Sequence, residues 1–306
     1  MFSAKNNLYN IPKMVKVIHL DIKDKKECPQ LGTFVEKFKT VIKEDCDCYA
    51  GGKILFKFRK NVISQTDADI ALKNFLKHAK KPNDNRGVAA GLMADGKAKK
   101  QVGNFSRGNI SHSGIVGFFD KPSPQQKSEL KKHFGKVPAN VCRTTAFNNK
   151  NPKMFEEALP FFKTIDKTYK KLAPQHHASQ LNYSEKIRPE FIIKDTSFTT
   201  VTTNFNWQTA IHTDKGDYGD GLGNLTVVGT DDYDGGYFGF PEWDVGVDLR
   251  SRDVIIADVH QPHCNTPMVN KTPSSTRLSF VCYLRTDMSK CDIPYKDGMI
   301  VSKPNL

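Results

Sequence analysis

No stretch of this chain approaches the roughly 18 consecutive apolar residues that a membrane-spanning helix needs, and its opening, MFSAKNNLYNIPKMVK, holds neither the apolar core nor the small-residue cleavage site of a signal peptide. A soluble, intracellular protein with no membrane partner is the expectation, nuclear if the source is eukaryotic. Paired C-x-x-C spacings are also missing. The seven cysteines (Cys28, Cys46, Cys48, Cys142, Cys264, Cys282 and Cys291) are scattered and odd in number, so neither a structural zinc module nor a disulfide framework is expected. Cys46 and Cys48, in DCDC, have acidic neighbours and no second pair, and read as ordinary thiols. Repeats, low-complexity tails and linkers are absent too. A single domain spanning residues 1–306 is therefore expected; nothing in the sequence bears on oligomeric state.

What is present begins with charge. The net charge is +13, and it is unevenly shared. Residues 1–200 carry 37 Lys/Arg against 19 Asp/Glu, a net of +18, while residues 201–306 carry 9 against 14, a net of −5. Such asymmetry suits a polyanion held by one part of the protein while another does the chemistry.

The first 190 residues read as mostly helical, with interspersed strands. Leu31, Phe34, Val35, Phe38, Val41 and Ile42 recur at helical spacing, and Asp67 is placed to cap a helix carrying Ile70, Leu72, Phe75 and Leu76. Ser123-Pro124 with Gln126 has the form of a capping box with proline at the first helical position. Asn151-Pro152 repeats that signal ahead of Met154, Phe155, Leu159, Phe162, Ile165 and Tyr169. LMADGKAKKQVGNFSRGNISH reads as a loop or mobile strand pair, and SGIVGFFD as a short strand. From about residue 190 the texture changes to β-branched and aromatic runs broken by Gly and Asp: FIIKD, SFTTVTTNFNW, TAIHTD, NLTVVGT, YFGFP, VGVDL, DVIIADV and RLSFVCYLR. Short strands at this spacing, with no long helix between them, indicate an antiparallel sandwich or jelly roll. The predicted fold is thus α+β: a basic helical buttress over residues 1–190 packed on a jelly-roll (double-stranded β-helix) core over 191–290.

In His212-Thr213-Asp214, strand alternation puts the imidazole and the carboxylate on one side. These are two thirds of the facial triad that binds non-haem Fe(II) and leaves coordination positions open. Downstream, DVIIADVHQPHCNTPM offers His260 and His263 as a third ligand, both following a hydrophobic strand. In RLSFVCYLR the faces divide cleanly. Arg277, Ser279, Val281, Tyr283 and Arg285 point one way; Leu278, Phe280, Cys282 and Leu284 point the other. Two arginines, a serine and a tyrosine cannot line a dry core, so that face should border a polar cavity. There Arg277 would grip a carboxylate with two prongs, with the Ser279 hydroxyl as a further donor.

These segments resemble the TET/JBP family of nucleic-acid 5-methylpyrimidine dioxygenases. The resemblance is carried by FTTVTTNFNWQTAIHTDKGD, by the Gly235-Gly236 turn with FPEWDVGVDL after it, and by HCNTPMVNKTPSSTRLSFVCYLR. The family pattern has the distal iron histidine head a small-polar-Thr-Pro-apolar segment, which implies His263 rather than His260 as third ligand. It further implies Fe(II) at His212, Asp214 and His263, 2-oxoglutarate on Arg277 and Ser279, and hydroxylation of a pyrimidine 5-methyl group in DNA, with the base flipped out of the duplex and Tyr283 as stacking platform. NRGVAAG at 85–91 and SRGNISHSGIVGFFD at 106–120 are similar to family segments, with Arg86 or Arg107 as helpers for oxoglutarate or substrate.

Two departures bear on substrate choice. The cysteine-rich zinc-binding region of animal members is absent, leaving the grip on DNA to the basic N-terminal part. Two residues beyond Tyr283, where animal members place a base-contacting histidine, stands Arg285, which offers donors only. It suits the O2 or N3 of 5-methylcytosine or the O4 of thymine. The resemblance to the family leans to 5-methylcytosine in DNA, with thymine and RNA as alternatives. Two rival functions share the same residues: a prolyl- or lysyl-type protein hydroxylase using the same iron centre, and a non-catalytic nucleic-acid-binding protein with an oxygenase-like core.

Overall fold

The computed structural model describes residues 15–93, 109–296 and 299–300; Arg107 and most of the predicted loop before SGIVGFFD lie outside the described residues. Six helices are described: α1 (Gln65–Ala79), α2 (Pro124–Phe134), α3 (Ala146–Lys150), α4 (Pro152–Glu157), α5 (Leu159–Leu172) and α6 (Pro174–Ser184). The strands of the N-terminal half are β1 (Lys16–Leu20), β2 (Thr40–Ile42), β3 (Cys46–Ala50), β4 (Lys53–Arg59), β5 (Ser113–Phe119) and β6 (Val141–Thr144). Those of the C-terminal part are β7 (Thr200–Phe205), β8 (Gly223–Gly229), β9 (Tyr233–Gly235), β10 (Phe238–Phe240), β11 (Val245–Val247), β12 (Val254–Ala257), β13 (Cys264–Asn265), β14 (Met268–Asn270), β15 (Arg277–Tyr283), β16 (Ile293–Lys296) and β17 (Met299–Ile300). No helix among the described residues is long and apolar enough to cross a membrane.

A large sheet runs in the order β1-β3-β4-β12-β8-β15-β7-β5-β6-β16-β17, and a small sheet runs β13-β10-β11-β2. Side-chain alternation gives the central strands two different faces. Val254 and Ile256 of β12, with Leu278, Phe280 and Cys282 of β15, join Phe75 of α1 and Phe161, Phe162 and Ile165 of α5 in one core. Ile255 and Ala257 of β12 join Phe240, Val245 and Val247 of the small sheet in a second. The result is helices on one side of a sheet sandwich, as the α+β jelly-roll reading expects. Phe280 is the pivot of the first core, with its ring 4.9 Å from Phe161 and 5.5 Å from Phe75 between centroids. Truncation to Phe280→Ala is expected to cost about 3–5 kcal/mol of unfolding free energy, measured by denaturant titration; a loss below about 1 kcal/mol, ordinary for a surface change, would contradict this packing.

Several elements differ from the sequence expectation. The helix predicted over Leu31–Ile42 does not form; the segment is irregular up to β2. Its apolar residues are used otherwise: an added Cβ at Gly239 or Gly246 would come within 2.7 Å of the Phe38 ring, so those two strand glycines open a slot that the ring fills. Tertiary packing overrides the helical spacing there. Residues 16–59 also supply strands to both sheets, so the sheet system is not confined to residues 191–290. Helix α1 forms as expected, but Ser64 caps it by accepting from Asp67 N, and Asp67 lies in the first turn. The capping box of α2 is present with both reciprocal bonds. The helix read from Asn151 onward splits into α4 and α5 at Ala158, two residues before Pro160, which lacks the N–H that a continuous helix needs. FIIKD and TAIHTD are not strands. Cys142 of β6 and Cys291 are paired as a disulfide, with Cα atoms 5.6 Å apart, across a separation of 149 residues that sequence spacing does not reveal.

Candidate active site

Between the two sheets lies a cavity of about 350 Å³, bordered by His212, Asp214, His263, Arg277, Ser279, Tyr283 and Arg285. The five residues assigned to the polar face of β15 all border it, Val281 included. Leu278, Phe280 and Cys282 pack on the helices, and Leu284 sits in a separate cluster with Phe191 and Met288.

His212 lies not in a strand but in an extended loop, held by a single antiparallel bridge to His263. His212 N donates to His263 O at 3.0 Å, and His263 N donates to His212 O at 2.9 Å. Two potential ligands are thereby fixed to each other through the backbone. Asp214 N donates to Val259 O at 3.0 Å, placing its carboxylate beside both rings. His212 Nε2 is 3.7 Å from Asp214 Oδ1, and His263 Nε2 is 3.8 Å from Asp214 Oδ2. One ligand atom from each residue lies within 4.8 Å of the others, the only such group of three among the described residues. The tautomers are set as a metal requires: His212 Nδ1 donates to Ala210 O at 2.8 Å and His263 Nδ1 to Gln261 O at 3.0 Å, leaving both Nε2 lone pairs facing Asp214. Burial, reinforced by His212, pushes the His263 imidazole down to about 4, so it is neutral near pH 7. Two imidazoles and one carboxylate on adjoining edges fit Fe(II) with open positions. His260 is elsewhere, with Nε2 3.2 Å from Tyr218 O. Thr213, expected on the opposite side, also borders the cavity, because the loop lacks strict strand alternation.

Arg277 is buried, and its Nε has no hydrogen-bond partner. The Tyr233 hydroxyl close to it is likewise buried without one. No carboxylate among the described residues lies within ion-pair distance of Arg277. Burial lowers its guanidinium below the ordinary value, and the nearby Arg250 adds to the effect. A buried, unpaired cation is costly, and the cavity beside it is where an anionic carboxylate would satisfy it. That fits 2-oxoglutarate. Ser279 belongs to a short polar chain: Ser113 Oγ donates to Asn204 Oδ1 at 2.6 Å, and Asn204 Nδ2 donates to Ser279 Oγ at 3.4 Å.

Arg285 borders the cavity as expected, but most of its donors are taken. Nε and Nη2 donate to Asp120 Oδ2 at 3.1 and 3.0 Å, while Nη1 donates to Lys215 O at 2.7 Å and to Asp217 Oδ1 at 3.2 Å. Sequence reasoning missed Asp217. Its carboxyl borders the same cavity, and burial followed by repulsion from Asp214 raises it well above the usual carboxylate range, against the pull of Arg285. Gly216 makes this cluster feasible: it has φ +86°, and an added Cβ would sit 2.5 Å from Arg285 Nη2. The glycines around Asp217 in DKGDYGDGLG were the available signal. Tyr283 is buried in the cavity wall, with its hydroxyl 3.0 Å from Thr202 Oγ1. Arg86, too, borders the cavity, with a buried Nε lacking a partner and with Tyr283 and Asp214 as its charged or polar neighbours.

A family model described as the oxygenase domain of the 2OGFeDO superfamily, Tet_JBP, matches residues 134–286, half of the chain. The chain belongs to the Tet_JBP family. Among curated relatives of this Tet_JBP domain, the "Bifunctional helicase and thymine dioxygenase JBP2" of Leishmania tarentolae is 31% identical over 215 residues, 69% of this chain and 18% of that protein. The "Thymine dioxygenase JBP1" of Crithidia fasciculata is 30% identical over 208 residues, 66% of this chain and 23% of that protein. The chain therefore spans about a fifth of the length of these relatives. Among solved structures, "NgTET1 in complex with 5mC DNA" covers 86% of this chain and 84% of its own at 14% identity with a TM-score of 0.55, a likeness of fold.

Proposed function

We propose that this Tet_JBP domain is an Fe(II)- and 2-oxoglutarate-dependent dioxygenase that hydroxylates the 5-methyl group of a pyrimidine in DNA. The observation that carries the proposal is the single cavity joining the His212–Asp214–His263 cluster to the unpaired Arg277. Fe(II) with 2-oxoglutarate supplies, when bound, the oxidising chemistry that turns 2-oxoglutarate and dioxygen into succinate, carbon dioxide and a hydroxylated product. The chain's own residues do the rest. His212, Asp214 and His263 would hold the metal. Arg277 anchors the far carboxylate of the cosubstrate by charge-assisted hydrogen bonds, with Ser279 as an adjacent donor. A methyl group in a duplex groove cannot reach so enclosed a centre, so the base enters flipped, and the Tyr283 ring in the wall is the surface against which it lies.

Reading of the base falls to Asp217 more than to Arg285, because Arg285 is occupied with Asp120 and Asp217. Burial, and then repulsion from Asp214, push that carboxyl well above the usual range; in its protonated form it offers one donor and one acceptor. That pair suits N3–H and O4 of thymine, and equally N3 and N4–H of 5-methylcytosine. The relatives named for thymine dioxygenase activity favour thymine. The deciding experiment is mass spectrometry of nucleosides from DNA duplexes whose only 5-methylpyrimidine is thymine or, with uracil replacing thymine, 5-methylcytosine, and from RNA carrying the same methylated bases. The expected product is the 5-hydroxymethyl nucleoside from the thymine duplex; product from 5-methylcytosine alone reverses the base choice, and product from RNA alone reverses the choice of nucleic acid. No modified base from any of them would refute the proposal.

A further inference from the structure

We propose that Leu31 and Val88 form an apolar wedge at the mouth of the cavity, which enters the base stack and fills the gap left by the extruded pyrimidine. This rests on the reading of the cavity as a pocket for a base flipped from duplex DNA.

Nine large apolar side chains are exposed among the described residues, and two of them, Leu31 and Val88, also border the cavity. Each is 38% exposed. A side chain that belongs both to the cavity wall and to the solvent-facing surface stands at the opening. The two come from separate turns, yet both turns are tied to the residues that precede the first metal ligand. Gly32 N donates to Ile211 O at 2.8 Å, and Ile211 N donates to Thr33 O at 2.8 Å. Ala210 N donates to Ala89 O at 2.9 Å, and Ala210 O accepts from His212 Nδ1. Backbone hydrogen bonds thus set the height of both side chains above the metal-binding histidine.

Taking a pyrimidine out of a duplex breaks its stacking on both neighbours, and water filling the gap restores none of that contact. An apolar side chain inserted between base steps does. Leu31 and Val88 are suited to the task because they are apolar, stand at the opening through which the base would pass, and are held at fixed distance from its destination. Both turns also belong to the N-terminal 200 residues that carry the net charge of +18, which draws the phosphate backbone to this part of the molecule.

The test compares two duplexes identical except at the target pyrimidine, which is correctly paired in one and mispaired in the other, since a mispaired base leaves the stack more easily. The double variant Leu31→Ser/Val88→Ser is expected to lose at least about tenfold more kcat/KM for hydroxymethyl formation on the paired than on the mispaired duplex. An apolar double variant, Leu31→Met/Val88→Leu, should stay within about twofold of the parent on both, because the wedge asks for apolar bulk and not for one shape. Equal losses on the two duplexes, or no loss on either, would overturn the wedge while leaving the hydroxylation reading intact. A parent protein inactive on both would remove the hydroxylation reading and the wedge with it.

Discussion

Asp214→Ala is expected to abolish turnover and to weaken Fe(II) binding by more than about 100-fold, the upper range seen when only an outer partner of a metal ligand is removed. Asp214 supplies the one carboxylate of the cluster, and both His212 Nε2 and His263 Nε2 face it. Without it the two imidazoles remain joined by their backbone bridge, but the charge that balances a divalent cation is gone. Its side chain is about 29% exposed, so the fold should survive the change, and circular dichroism should match that of the parent. Anaerobic titration with Fe(II), or with Mn(II) as an inert substitute, checks the affinity directly. Retention of parent-like metal binding and turnover would remove Asp214 from the metal site. Replacing His260 by alanine provides the internal control: it lies outside the cluster, and metal affinity should change by less than about tenfold, below the range for outer partners of a ligand.

Arg277→Met is expected to raise the KM for 2-oxoglutarate by between about 30-fold and several thousand-fold, corresponding to the 2–5 kcal/mol typical of truncating one partner of a buried charge pair. The same substitution has an opposite effect on the ligand-free protein. Arg277 is buried with no carboxylate partner among the described residues and an unsatisfied Nε, so an apolar side chain of similar length should leave the apo fold as stable as before or more so. Thermal melts separate the two effects. With Fe(II) and without oxygen, 2-oxoglutarate at about 100 times its dissociation constant should stabilise the parent by about 2.7 kcal/mol and the variant hardly at all. A variant destabilised without cosubstrate, or one still stabilised by it, would place the carboxylate elsewhere.

Much of this site was legible in the sequence because β15 obeys strict alternation and both of its faces carry chemistry: polar towards the cavity, apolar towards α1 and α5. The metal set was legible for a different reason, namely the spacing of His212, Asp214 and His263 in segments similar to a known family. What was not legible depends on long-range contacts. The apolar spacing from Leu31 to Ile42 suits a helix, yet Phe38 answers to glycines some 200 residues away, Gly239 and Gly246. Asp217 is marked in the sequence only by the glycines around it, and its role emerges once Arg285 and Asp120 are brought beside it. For the same reason Arg285 read as a free donor, whereas the fold commits most of its N–H groups to two carboxylates and a carbonyl.

The most direct measurement is the stoichiometry of succinate and 5-hydroxymethylpyrimidine formed in one reaction mixture containing the protein, Fe(II), 2-oxoglutarate, dioxygen and a methylated duplex. One cavity serving metal, cosubstrate and base predicts the two products in near-equal amounts, both absent with Asp214→Ala. Succinate accumulating without the modified base, or modified base formed by Asp214→Ala, would contradict it.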